Sequence, residues 1–121
     1  MTRRTLIAVV VLVAACGPRP VRPEQRIDNS DPGRGKRAIA EFGCGSCHEI
    51  PGVRGAVGLV GPPLTHWSKR RFIAGEMENT PEHLITWITM PQAVEPGTAM
   101  PNMGISDGAA RDIASYLYTI R

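Results

Sequence analysis

The sequence predicts a small all-α domain with three or more helices, and three observations lead to that prediction. Three segments place apolar residues three and four positions apart, which is the spacing of one face of an α-helix. A stretch with four glycines in ten residues separates two of them and is typical of a loop. The 121-residue chain has only two Phe, two Tyr and two Trp, so its core needs a staple, a metal or a cofactor.

Residues 1–15 are predicted to be an export signal. A short basic start precedes an apolar run from Leu6 to Ala15, which is too short to span a bilayer but suits such a signal. The run ends in Val-Ala-Ala-Cys, which resembles the lipobox of bacterial lipoproteins and implies cleavage before Cys16 and lipidation of its sulfur. An ordinary cleaved signal peptide and an uncleaved signal anchor are the alternatives, but both leave an unexplained cysteine.

Residues 16–31 are predicted to be a lipid-anchored, proline-rich tether. The segment GPRPVRPEQRIDNSD has almost no apolar residue, so it buries too little surface to fold and behaves as a semi-rigid spacer. Its arginines suit anionic lipid headgroups. The folded domain is therefore expected to cover residues 32–121.

The first helical segment, Gly33 to Phe42, runs up to the motif Cys44-Gly45-Ser46-Cys47-His48. A structural zinc site needs a second Cys or His pair, an iron–sulfur cluster needs four thiolates, and a thioredoxin-like dithiol needs a βαβ context; none of these is present. C-x-x-C-H is instead the signature of covalent haem attachment. Cys44 and Cys47 would form the thioethers, and His48 would coordinate the iron. In bacteria such haem is attached outside the cytoplasm, in agreement with the export signal.

Two further helices follow the glycine-rich loop. Thr80 suits an N-cap, Pro81 the first turn and Glu82 the positive end of the helix dipole, while Pro91 ends the helix. Its apolar residues are Leu84, Ile85, Trp87 and Ile88. The last helix is predicted from Ser106 or Asp107 to Ile120. Its apolar face contains Ala110, Ile113, Ala114 and Leu117.

Between these helices lies PGTAMPNMGI, residues 96–105. With this loop and the C-x-x-C-H motif in order, residues 33–121 resemble the small monohaem class I cytochromes c. The resemblance implies a cytochrome c-type fold wrapped around one covalently bound haem c, with Met100 giving its thioether sulfur to the iron. Met103 is the alternative ligand, and its other role is packing against the ring. His66 and His83 would give bis-histidine iron, but neither lies in a ligand-like loop.

The resemblance also assigns residues around the ring. Gly61-Pro62 is similar to the family's Gly-Pro, whose proline carbonyl accepts the Nδ1 proton of the iron-bound histidine, so Pro62 would orient His48. Leu64 would pack on the haem, and Trp87 would line its methionine side. Gly35 resembles the family glycine at the crossing of the first and last helices, with the aromatic Tyr116 nearby.

The charge pattern excludes one class of partner. The formal net charge is +3, and without Arg3 and Arg4 of the leader the basic residues number 12 against 11 acidic ones, which gives no support for nucleic-acid binding. The densest basic run, residues 69–71, is interpreted either as a solvated surface or as a contact for haem propionates or an acidic partner.

Together these features predict an electron carrier and not an enzyme. The protein would be lipid-anchored on the extracytoplasmic side of a bacterial membrane and carry single electrons between respiratory complexes. Its expected partners are a quinol–cytochrome c reductase, a dehydrogenase and a terminal oxidase. The alternatives are a fixed haem subunit of a dehydrogenase or oxidase complex, or a haem enzyme or gas sensor with an open sixth position. An enzyme or gas sensor would need an acid–base group near the open iron position, and the sequence does not place one there.

Overall fold

The computed structural model describes residue 17 and residues 20–121. The predicted export signal and the lipidated Cys16 lie outside these residues. No helix among the described residues has the length and hydrophobicity needed to cross a bilayer.

Four helices form most of the regular structure: α1 (Pro32–Glu41), α2 (Pro81–Thr89), α3 (Pro91–Val94) and α4 (Asp107–Leu117). Strands β1 (Phe72–Ile73) and β2 (Met77–Glu78) form a short antiparallel hairpin, in which Phe72 pairs with Glu78 and Ile73 with Met77. Single 3-10 turns cover Pro23–Gln25, Cys44–Ser46 and Trp67–Lys69. The prediction of a mainly helical domain is confirmed, whereas α3 and the hairpin were not predicted.

The helix starts follow from their caps. Proline occupies the first position of α1, α2 and α3, where its missing N–H costs nothing. The hydroxyls of Thr80 and Ser106 accept hydrogen bonds from backbone N–H groups three residues later, at 3.3 Å in both cases. The last helix ends at Leu117 instead of the predicted Ile120. The chain turns there, and the Ile120 carbonyl accepts a hydrogen bond from the Ser68 N–H.

Helices α1 and α4 pack directly against each other at Gly35, since a Cβ there would lie 1.9 Å from the Asp112 carbonyl oxygen. Beside the crossing, the Arg34 guanidinium donates to both oxygens of the Asp112 carboxylate at 2.7 and 2.9 Å, and the Asp31 N–H donates to the same group at 2.7 Å. The hydrogen bonds from Arg34 hold the Asp112 pKa below its usual range. The crossing glycine therefore lies where the resemblance implied. Tyr116 packs against the core from α4, and its hydroxyl donates to the Pro51 carbonyl.

The segment before α1 packs on the domain. Gln25 is only 5% exposed, and its Nε2 donates to the Ser68 carbonyl at 2.9 Å. Val21 and Ile27 pack against the core, and the Arg121 guanidinium donates to the Pro20 carbonyl. The packed structure thus begins before Pro32, the residue at which sequence analysis started the folded domain. The predicted start of the folded domain is too late because a few side chains of this proline-rich segment contact residues far away in the sequence. Composition alone does not reveal such contacts.

Candidate functional site

A cavity of about 590 Å³ lies between α1, α2, α4 and the loops that join them. It brings together residues that are separated by up to 78 positions along the chain, from Ile39 to Leu117. All seven of the predicted site residues within the described part of the chain line this cavity: Cys44, Cys47, His48, Pro62, Leu64, Trp87 and Met100. His66 and His83 are exposed and do not line it.

The cysteine pair lies at one edge of the cavity, immediately after α1. Gly43 has φ +69°, a left-handed conformation that ends the helix and leads into the Cys44–Ser46 turn. Both cysteines are half-buried, and neither forms a disulfide within the described part of the chain. Burial raises the pKa of the Cys44 thiol. Among the residues with described positions, no three Cys, His, Asp or Glu side chains cluster as ligands of a metal ion.

The His48 imidazole is oriented by the loop that follows it. Its Nδ1 lies 2.7 Å from the Pro62 carbonyl oxygen, so a protonated Nδ1 donates there and the lone pair of Nε2 is left for a metal. Gly61 packs against the ring, since a Cβ at this position would lie 2.3 Å from the ring carbon Cε1. These contacts fix both the tautomer and the plane of the imidazole.

The glycine-rich loop reaches His48 because its backbone pairs with that of the cysteine motif. The N–H groups of Gly58, Gly61 and Leu64 donate to the carbonyls of residues 45, 47 and 49 at 3.0, 2.7 and 2.8 Å. A Cβ at Gly58 would lie 2.5 Å from the Ser46 carbonyl. The glycines are therefore needed for close backbone approach, as a loop passing near another group requires.

The methionine side of the cavity is formed by the loop after α3. Gly97 turns the chain with φ +86°, and Met100 follows as a half-buried residue. Met103 also lines the cavity, but it is 42% exposed. The lower exposure of Met100 favours it over Met103 as the residue that presents sulfur to the interior.

Trp67 is a site residue that sequence analysis missed. It is 5% exposed and lines the cavity, yet its indole N–H has no hydrogen-bond partner among the described residues. A buried donor without an acceptor costs about 1–3 kcal/mol, and a ligand bound in the cavity could supply that acceptor. Nothing in the local sequence distinguishes this tryptophan from an ordinary core residue.

Arg70 brings a positive charge to the same end of the cavity. Its guanidinium carbon lies 5.2 Å from the centre of the Trp67 ring. The guanidinium donates to the carbonyls of Pro63 and Thr65 while also lining the cavity. Arg70 belongs to the basic run noted in the sequence, and of its three residues only this one lines the cavity.

These features fit a haem. The lining is mainly apolar, as a porphyrin face requires, and two cysteines at one edge match the two vinyl groups of the ring. Imidazole nitrogen and thioether sulfur are the ligand types that cytochromes c offer to iron. The unpaired Trp67 N–H and the Arg70 guanidinium are suited to the carboxylates that a haem carries.

Comparison with known proteins agrees with this chemistry. Residues 33–121 match the family model described as Cytochrome c. A relative from Alkalihalophilus pseudofirmus, named cytochrome c oxidase subunit 2, is 37% identical over 68 residues. That match covers 56% of this chain but only 19% of the relative, so the chain spans about a fifth of that protein's length. The chain therefore belongs to the cytochrome c family, whose members carry covalently bound haem c with its iron.

Proposed function

We propose that this protein is a membrane-anchored carrier of single electrons between respiratory complexes on the extracytoplasmic side of a bacterial membrane, and that it is not an enzyme. The observation that carries the proposal is the presence of His48 and Met100 on the lining of one cavity. His48 and Met100 would both hold the iron of the haem, and would thereby keep it from binding oxygen or another substrate.

Each side chain of the cavity has a role in this proposal. Cys44 and Cys47 would hold the porphyrin through thioether bonds, so that the cofactor is not lost during turnover. His48, oriented by the Pro62 carbonyl at 2.7 Å, would bind the iron through Nε2. Haem c, when bound, supplies a one-electron Fe(III)/Fe(II) couple, and a neutral thioether ligand favours the ferrous form and raises the potential.

The remaining lining residues set the surroundings of the cofactor. Leu64 and Trp87 would exclude water from its faces and so lower the local polarity. Trp67 and Arg70, which lie next to each other on the lining, would receive the carboxylates of the haem.

The cavity rim supports a contact with redox partners. Val60, Phe72 and Met103 line the cavity and are 75%, 53% and 42% exposed. Exposed apolar side chains at the edge of a cofactor site suit small, short-lived encounters, which bury less than about 1,200 Å². A quinol–cytochrome c reductase or a dehydrogenase would act as donor, and a terminal oxidase as acceptor.

A second candidate function is a fixed haem subunit of an oxidase or dehydrogenase complex. It is favoured by the relative named cytochrome c oxidase subunit 2, in which a similar segment occupies 19% of a longer chain. In that protein the similar segment is one part of a longer polypeptide. The chain described here would then be the haem-bearing part of such a complex.

The test uses the full-length protein, produced with its own leader in a bacterial host that attaches haem c. A potentiometric titration should give a one-electron transition, and the ferrous protein should bind carbon monoxide poorly because His48 and Met100 would both hold the iron. Tight binding of carbon monoxide would overturn the carrier proposal in favour of an enzyme or gas sensor. Co-migration of all the haem with an oxidase after mild solubilisation would favour the fixed subunit.

Two variants test the ligand and the anchor. Met100→Ala should abolish the weak far-red absorption of thioether-ligated ferric haem and lower the potential, whereas Met103→Ala, the matched control, should retain both. Cys16→Ser should leave the haem attached but release the protein from the membrane fraction. A far-red band in Met100→Ala would contradict the ligand assignment, and a membrane-bound Cys16→Ser variant would contradict lipidation.

A further inference from the structure

The Gln92 side chain bridges α3 and the loop that contains Met100. Its Nε2 donates to the Thr98 carbonyl at 2.6 Å and to the Met100 carbonyl at 3.0 Å. Its Oε1 accepts a hydrogen bond from the Gly97 N–H at 3.3 Å. One exposed amide therefore contacts three backbone groups of a single loop.

The backbone that carries Gln92 is firmly held. Pro91, the preceding residue, is among the side chains with less than 2% exposure. The N–H groups of Ala93 and Val94 both donate to the Met90 carbonyl, and the Glu95 N–H donates to the Pro91 carbonyl. The amide of Gln92 thus projects from a short helix that is anchored in the core.

The loop itself has few other restraints. In the part of the chain that the structure describes, no backbone group from Ala99 to Ile105 hydrogen-bonds to another backbone group. The side-chain bonds within the loop are local, from the Met100 N–H to the Thr98 hydroxyl at 3.4 Å and from the Gly104 N–H to Asn102 at 3.0 Å. Gln92 is therefore the hydrogen-bonding side chain that ties this loop to a helix.

We propose that Gln92 is a positioning residue that holds the Met100 loop closed over the cavity, and so determines how readily the thioether leaves the iron. The inference rests on the proposed role of Met100 as a ligand. When the loop opens, an external ligand can take the vacated position. Loss of the three hydrogen bonds therefore raises the population of the open state. External ligands should then bind to the protein more tightly.

The experiment measures imidazole binding to the ferric holoprotein, together with the far-red absorption and the thermal midpoint. Gln92→Leu keeps much of the side-chain volume but none of the hydrogen bonds, and its affinity for imidazole should rise on the order of tenfold. Gln92→Glu keeps an acceptor for the Gly97 N–H but turns negative oxygens toward two carbonyls, so its affinity should rise at least as much. Thr86→Val is the control, because it removes one hydroxyl that bonds only to the Glu82 carbonyl within α2.

The outcomes separate this inference from the proposal on which it rests. If Met100→Ala retains the far-red band, the ligand assignment is wrong and the role of Gln92 falls with it. If Met100→Ala loses the band while Gln92→Leu binds imidazole with wild-type affinity, the inference about Gln92 alone is wrong. A lower thermal midpoint of Gln92→Leu with unchanged imidazole affinity, or an equal rise in affinity for Thr86→Val, would show a merely structural role and also overturn it.

Discussion

Replacing Gly35 by alanine is expected to destabilise the protein by forcing α1 and α4 apart. A Cβ at Gly35 would lie 1.9 Å from the carbonyl oxygen of Asp112, 2.4 Å from its carbonyl carbon and 2.9 Å from the Ile113 nitrogen. Ordinary van der Waals contact begins near 3.4 Å, so the closest of these contacts is too short by roughly 1.5 Å. All three neighbours are backbone atoms of a helix, and no rotamer change can relieve the clash.

The magnitude follows from two opposing effects. Overpacking of a well-packed core costs about 1–3 kcal/mol, and a clash with helix backbone belongs at the upper end of this range. Alanine is favoured over glycine in a helix by about 1 kcal/mol, which offsets part of the cost. We therefore expect a net loss of about 2 kcal/mol in the free energy of unfolding. For a domain of this size that corresponds to a fall in thermal midpoint of about 10 °C.

The measurement is urea and thermal unfolding of the ferric holoprotein, followed by far-ultraviolet circular dichroism. Gly108→Ala is the matched control, because Gly108 also lies in a helix but a Cβ there would meet nothing within 4 Å. That variant should be as stable as the wild type or up to about 1 kcal/mol more stable. A Gly35→Ala protein with stability equal to that of Gly108→Ala would refute the close crossing of α1 and α4.

Three further variants are expected to behave as follows. Because hydrogen bonds from Arg34 lower the Asp112 pKa, Asp112→Asn should be less stable than wild type above the ordinary value of 3.8, with the difference in unfolding free energy lost as the pH falls below it. Burial raises the Tyr118 pKa, so wild-type stability should fall as the pH rises beyond the ordinary value of 10.0, and a Tyr118→Phe variant with an equally steep fall would contradict this. Gly61→Ala places a Cβ 2.3 Å from the His48 ring and should shift the reduction potential while leaving the haem covalently attached; an unchanged potential would contradict the contact.

The sequence alone was sufficient for the local features of this protein. Thr80 and Ser106 were expected at helix starts and are found as N-caps, because a cap acts on N–H groups two or three residues away. The C-x-x-C-H motif indicated haem attachment for the same reason, since two sulfurs and an imidazole within five residues are brought together by covalent geometry. The first helix was predicted one residue late at each end, within the usual fraying of helix ends.

Only the tertiary structure decided the contacts between distant segments. The indole N–H of Trp67 is recognised as unpaired only in the folded structure, where the residue is buried beside the cavity. The role of Gln92 likewise depends on the tertiary structure, which places the Met100 loop against α3. Gln25 lies in a segment that the sequence predicts to be an unfolded spacer. Its hydrogen-bond partner, Ser68, is 43 residues away in the sequence. Such contacts depend on how the whole core packs. The local sequence around one partner therefore does not indicate where the other partner lies.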